Sequence, residues 1–164
     1  MSEGLDVNTP RGQYFREQEE ILIRILEKRW RVLVVQTPKR EAAACDGFFV
    51  GVDNFEIRAV FEDKCRELSY EQFVQAGEII INESKIRKGV QLSRLLTVPF
   101  FVVVYLIHDG SIVFWKITDH KGSELLNLRT EKRMTNASCN GGKAERLNAF
   151  LPVNKSTELK KKEE

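Results

Sequence analysis

The run FFVVVYLI, Phe100 to Ile107, constrains this chain more than any other stretch. Pro99 precedes it and His108-Asp109-Gly110, a tight-turn signal, closes it. An unbroken β-branched and aromatic run bounded in this way reads as a strand buried on both faces. It is far short of the roughly 20 apolar residues that a membrane helix needs. SIVFWKI, Ser111 to Ile117, follows the turn and reads as the returning strand of a hairpin. With 164 residues the chain has room for one domain with a real core, but not comfortably for two.

The residues before this hairpin supply the covering layers. From Gln13 to Trp30, Ile21, Leu22, Ile25, Leu26 and Trp30 follow the spacing of an amphipathic helix. Acids early in it (Glu17, Glu19, Glu20) and bases late (Lys28, Arg29, Arg31) suit the helix dipole. VLVVQ, Val32 to Gln36, is a short strand ended by Pro38. DGFFVGV, Asp46 to Val52, the turn VDNF and FEIRAVFEDKCR, Phe55 to Arg66, form an antiparallel hairpin. Ser69 is the expected N-cap of a helical region reaching Leu96, with Gln72 at the capping-box position. Gly77 and Gly89 are the points where that region breaks into two helices or kinks. The order is α, three strands, helix, two strands: an α/β fold with a mixed β-sheet flanked by helices. Residues 1–12 read as a flexible N-terminus, 13–152 as one domain and 153–164, with ELKKKEE, as a disordered charged tail. Beyond residue 120 only short strand or loop signals remain.

Composition excludes several classes. The chain is 42% hydrophobic and 30% charged, as soluble globular proteins are, and no segment is apolar enough for a membrane. The N-terminus lacks an apolar signal segment. Cys45, Cys65 and Cys139 form no CxxC pair, which argues for reduced thiols in a cytoplasmic protein and against structural zinc. The net charge is only +2, so nucleic-acid binding would need local clusters. Candidates are Lys28/Arg29/Arg31, Lys39/Arg40, Lys85/Arg87/Lys88 and Lys132/Arg133.

Chemistry concentrates in AVFEDKCREL, Ala59 to Leu68. Strand alternation puts Ala59, Phe61, Asp63 and Cys65 on one face, and Val60, Glu62, Lys64 and Arg66 on the other. The informative pair is Glu-x-Lys, with Glu62 and Lys64 about 6 to 7 Å apart along the strand. A hairpin closed near Asp53-Asn54 sets Asp46 opposite Phe61 or Glu62. Two carboxylates suit a hard cation such as Mg²⁺, and a neighbouring lysine can orient the attacking water and offset phosphate charge. Cys45 and Cys65 flank the acids and read as small buried residues near each other across the hairpin.

The segment from Cys45 to Arg66 resembles the PD-(D/E)xK nuclease superfamily, of restriction-endonuclease-like fold, including small phage and bacterial members. The motif is an acid, a hairpin, then acid-x-lysine. Asp46, Glu62 and Lys64 match it, while Cys45 stands where a proline often precedes the first acid. The resemblance spans roughly Gln13 to Ile117. It implies a Mg²⁺- or Mn²⁺-dependent hydrolysis of DNA, with Asp46 and Glu62 on the metal and Lys64 positioning water. Members often add a glutamate from the first helix; Glu20 is the best match, with Glu17 and Glu19 as competitors. They often place a polar residue on the helix after the motif strand, for which Lys85 and Gln91 are candidates. Arg66, Lys85, Gln91, Lys39 and Arg40 are then the expected nucleic-acid contacts. A chain this small, with no separate recognition domain, would cut by structure or context, or dimerise to reach both strands. The competing expectation is a catalytically inactive nuclease-like protein that binds nucleic acid or a protein partner.

Overall fold

The computed structural model describes residues 9–38, 43–136 and 143–159. Helix α1 spans Pro10–Trp30. Thr9 caps it by accepting the Gly12 N–H at 3.0 Å, and Pro10 opens it with a φ suited to the first turn. Arg31, in the left-handed region at φ 51°, ends it. Strands β1 (Val32–Gln36), β2 (Gly47–Gly51) and β3 (Ile57–Arg66) follow as an antiparallel meander. Helix α2 (Tyr70–Ala76) starts with the expected capping box, in which the Ser69 hydroxyl and the Gln72 side chain each accept from the other's backbone N–H.

The region from Ser69 to Leu96 does divide into two helices at Gly77, as expected, but a strand lies between them. Gly77, at φ 74°, ends α2, as a residue free of a Cβ does at low cost. Glu78–Asn82 then forms strand β4, and only Glu83–Leu96 is helix α3. The EIII run fits the helical pattern in sequence, but three adjacent β-branched residues favour the pleated backbone once a partner strand pairs with them. Gly89 does not break α3. A Cβ there would collide with the Phe100 ring, so this glycine sets how closely α3 lies on the sheet.

Strands β5 (Phe100–Leu106) and β6 (Ser111–Lys116) form the second hairpin. β3 and β5 run parallel, with Glu62 beside Val102 and Lys64 beside Val104. The main sheet has order β1-β2-β3-β5-β6-β9, where β9 is Thr157–Glu158. A second sheet has order β4-β8-β7, from β7 (Arg129–Asn136) and β8 (Lys143–Pro152). The segment after residue 152 differs from the expected tail. Val153–Lys155 forms a 3-10 turn and Thr157–Glu158 pairs with β6, while residues 160–164 lie outside the described residues.

Two apolar layers sandwich the main sheet. On one face Leu22 and Leu26 of α1 pack against Phe49, Phe61, Val103 and Ile112. Phe49 and Phe61 stack at 4.5 Å, and Trp30 meets Phe49 and Phe114 edge-on at 5.2 and 5.3 Å. On the other face Val60, Phe100, Val102 and Trp115 pack against α2, α3 and the second sheet through Phe73, Ile86, Val90, Ile79, Ile81 and Leu151. This double covering is what the apolar strand at Phe100 requires. Among the described residues no helix is long and apolar enough to cross a membrane.

Candidate active site

The register brings the expected acids together. Gly47 pairs with Phe61, so the next position back, Asp46, stands level with Glu62. The Asp46 backbone is tied on both sides: its N–H donates to Phe61 at 3.1 Å, and its carbonyl accepts from the Thr37 N–H at 2.9 Å. Its side chain continues the ladder where the strand stops, Oδ2 accepting the Asp63 backbone N–H at 2.9 Å. The carboxylate is thereby held against β3 rather than left to rotate in solvent.

Glu62 is fully buried, on the face of β3 opposite α1. The Lys64 ammonium lies 2.8 Å from its Oε1, donates to the Asp63 carbonyl at 2.9 Å and stands 3.6 Å from Asp46 Oδ2. A second ammonium arrives from the first turn of α3. Lys85 Nζ lies 3.5 Å from Glu62 Oε1 and 3.9 Å from Asp46 Oδ1, and donates to the Ala43 carbonyl at 3.5 Å. Asn82 places it by capping α3, its side chain accepting the Ser84 N–H at 3.0 Å. Two carboxylates and two ammonium groups thus share one half-open site. Glu62 Oε2 is buried with no hydrogen-bond partner among the described residues.

Burial, the largest effect, raises the Glu62 pKa; Asp46 adds to the rise, while Lys64 and Lys85 oppose it. For Lys64 burial acts to lower the pKa, but the Glu62, Asp46 and Asp63 carboxylates outweigh it and hold the group charged. Burial likewise pushes the Cys45 thiol up to about 11 and Cys65 up to about 12. The two cysteines lie in opposite apolar layers rather than beside each other, because the chain turns at Cys45 before β2 begins.

Other expected contacts fall elsewhere. Glu20 is not brought to the site. Its side chain is 60% exposed and 4.0 Å from Arg24, because Leu22 and Leu26 set the inward stripe of α1 and Glu20 lies off it. Glu19 is half-buried and close enough to add to the rise in the Cys65 pKa, on the α1 side of β3. Arg66 is occupied in joining β3 to β4, donating to the Ile80 and Cys65 carbonyls at 3.2 Å each. Gln91 lies on the face of α3 away from Lys85, lining a groove of about 740 Å³ with Arg87 and Arg94. Lys39 and Arg40 lie outside the described residues. Of the expected nucleic-acid contacts in the described regions, only Lys85 reaches the acids.

The donor set suits a hard divalent cation. Mg²⁺ is commonly held by one or two carboxylates, with waters and substrate oxygens completing its shell, and Glu62 Oε2 is a buried oxygen lacking a hydrogen-bond partner among the described residues. Among the described residues no three His, Cys, Asp or Glu side chains form a ready-made metal cluster, so a site here would rest on these two carboxylates. No family model, curated protein or solved structure matches the chain.

Proposed function

We propose that this protein is a metal-dependent nuclease with a restriction-endonuclease-like core, hydrolysing DNA phosphodiester bonds. The observation that carries the reading is the meeting of Asp46, Glu62 and Lys64 at one end of the β2–β3 hairpin. The parallel pairing of β3 with β5, after a helix and a three-stranded meander, supports it. Mg²⁺ or Mn²⁺, held by Asp46 and Glu62, would supply Lewis-acid polarisation of the phosphate. Lys64 orients the attacking water from its place beside Glu62, and Lys85 offers a second positive charge to the phosphate. One site per chain cuts both strands only through a second copy or a second encounter.

The test is cleavage of plasmid, single-stranded and branched DNA in Mg²⁺, Mn²⁺ or EDTA, by the wild-type protein and by Asp46→Ala and Lys64→Ala. Metal-dependent cleavage lost in both variants supports the enzyme. A second reading, a nuclease-like protein that binds without cutting, has one observation in its favour: the two lysines already offset both carboxylates. DNA binding with no cleavage under any metal would select it.

A further inference from the structure

The second sheet carries a feature that the cleavage site does not use. β7 and β8 pair over eight positions, from Arg129↔Phe150 to Asn136↔Lys143. β4 backs β8 only from Asn148 to Pro152. The five pairs from Lys132↔Leu147 outward therefore extend past β4 as a two-stranded ribbon, about 17 Å long at the usual rise.

The charge on this ribbon is unbalanced. Among the described side chains, β7 and β8 hold Arg129, Lys132, Arg133 and Arg146 against two acids, Glu131 and Glu145. Arg133 stands directly across from Arg146, a like-charge pairing that costs stability in a sheet. The acid on that face of β7, Glu131, is shared, lying 2.6 Å from Arg129 and 3.0 Å from Arg133. Arg129 also bonds Glu78 at 2.8 Å and stacks over Phe150, so it anchors the base of the ribbon. On the other face Met134 and Leu147 are 62% and 40% exposed beside Lys132. A protein that needed this hairpin only for its core would gain from a neutral pair at 133 and 146 and from polar residues at 134, across from Glu145, and at 147, across from Lys132.

An exposed basic two-stranded ribbon matches the B-DNA major groove, about 12 Å wide; the deep, narrow groove of duplex RNA does not admit it. The ribbon leaves the sheet at Asn82↔Asn148, and Asn82 is the cap that starts α3 and places Lys85 among the acids. We propose that the β7–β8 ribbon grips double-stranded DNA, with Lys132, Arg133 and Arg146 against phosphates and Met134 and Leu147 against sugars or base edges. This rests on the nuclease reading for its substrate and narrows that substrate to duplex DNA.

The test is fluorescence anisotropy with a short labelled DNA duplex, in EDTA, over a range of salt. Combined Lys132→Gln, Arg133→Gln and Arg146→Gln should weaken binding at least about tenfold. It should also flatten log K against log salt by about 2 to 3, near 0.9 for each phosphate no longer neutralised. The exposed single variant Lys132→Gln should flatten it by about 1, and circular dichroism checks that each variant is folded. Unchanged affinity and slope in a folded triple variant overturn the proposal. So does tighter binding of duplex RNA than of DNA, or a loss of self-association in place of DNA binding, which would assign the ribbon to a second copy of the chain. Because binding is read without metal, a wild-type protein that binds duplex DNA but never cuts it sinks the nuclease reading and leaves the ribbon standing.

Discussion

Glu62 and Asp63 are neighbours on β3 and both are buried, 0% and 1% exposed, yet they face different layers. Glu62 meets two ammonium groups and shares them with Asp46. Asp63 points to the α1 side, where its charge adds to the rise in the Cys65 pKa. Its backbone serves the site even so, the N–H fixing Asp46 and the carbonyl accepting from Lys64. A buried carboxylate is costly wherever it sits. What distinguishes Glu62 is the set of groups that converge on it: Asp46 from the start of β2, Lys64 from β3 and Lys85 from α3.

The contrast breaks most visibly in cleavage. Under the nuclease reading, Lys64→Met and Glu62→Gln should each slow DNA cleavage by about 10² to 10³, the range for losing one preorganised electrostatic group. Asp63→Asn should cost less than about tenfold, or 1.4 kcal/mol of barrier. Initial rates on a plasmid substrate decide it, and equal losses would erase the distinction between the faces.

Stability sharpens it next. Phe61 shares the Asp63 face, is wholly buried and stacks on Phe49. Phe61→Ala should lose about 3 to 5 kcal/mol in urea unfolding, as large core aromatics do. An unfolding midpoint close to wild type would show that α1 contributes little to holding β3.

A smaller effect follows pH. The Glu62 pKa in the folded protein stands above its ordinary 4.5, so the folded state holds the proton over the window between the two values. Stability contributed by protonated Glu62 is full below 4.5 and is lost as pH rises through the raised value. In EDTA the wild-type stability should therefore fall over that window by at most about 1.4 kcal/mol per pH unit, and Glu62→Gln should flatten the fall. A slope unchanged by the variant would place the titration on another group.

The smallest effect is expected at Glu20. Exposed and paired only loosely with Arg24, Glu20→Gln should leave stability within about 0.5 kcal/mol and cleavage at the wild-type rate. A large loss of cleavage would return the first helix to the site.

Much of this architecture was legible in the chain itself. Alternation along Ile57–Arg66 separated Glu62 and Lys64 from Asp63, and the turn at Asp53-Asn54 set Asp46 opposite Phe61 or Glu62; the register shift between Phe49 and Val50 chose Glu62. Periodicity marked α1, and the apolar run at Phe100 marked the strand covered on both sides. These are local rules, period 2 and period 3.6, and they act before any tertiary structure forms. β4 was not legible, because EIII satisfies both helix and strand until β8 supplies a partner. β7 was not legible either: RTEKRMTN has no apolar face and is a strand only because β8 pairs with it.

Lys85 shows the same division. In the sequence it was one of two candidates, with Gln91, for a polar residue on the helix after the motif strand, and nothing local chose between them. The fold ends β4 at Asn82, starts α3 there and swings Lys85 onto Asp46 and Glu62. By itself the sequence determined which faces of α1 and β3 are apolar and which acids share a hairpin, since backbone geometry alone sets those. The tertiary structure decided that Glu20 stays in solvent, that Lys85 joins the acids, and that Arg133 and Arg146 meet on one ribbon. Those outcomes depend on how distant segments pack, and no local periodicity encodes that.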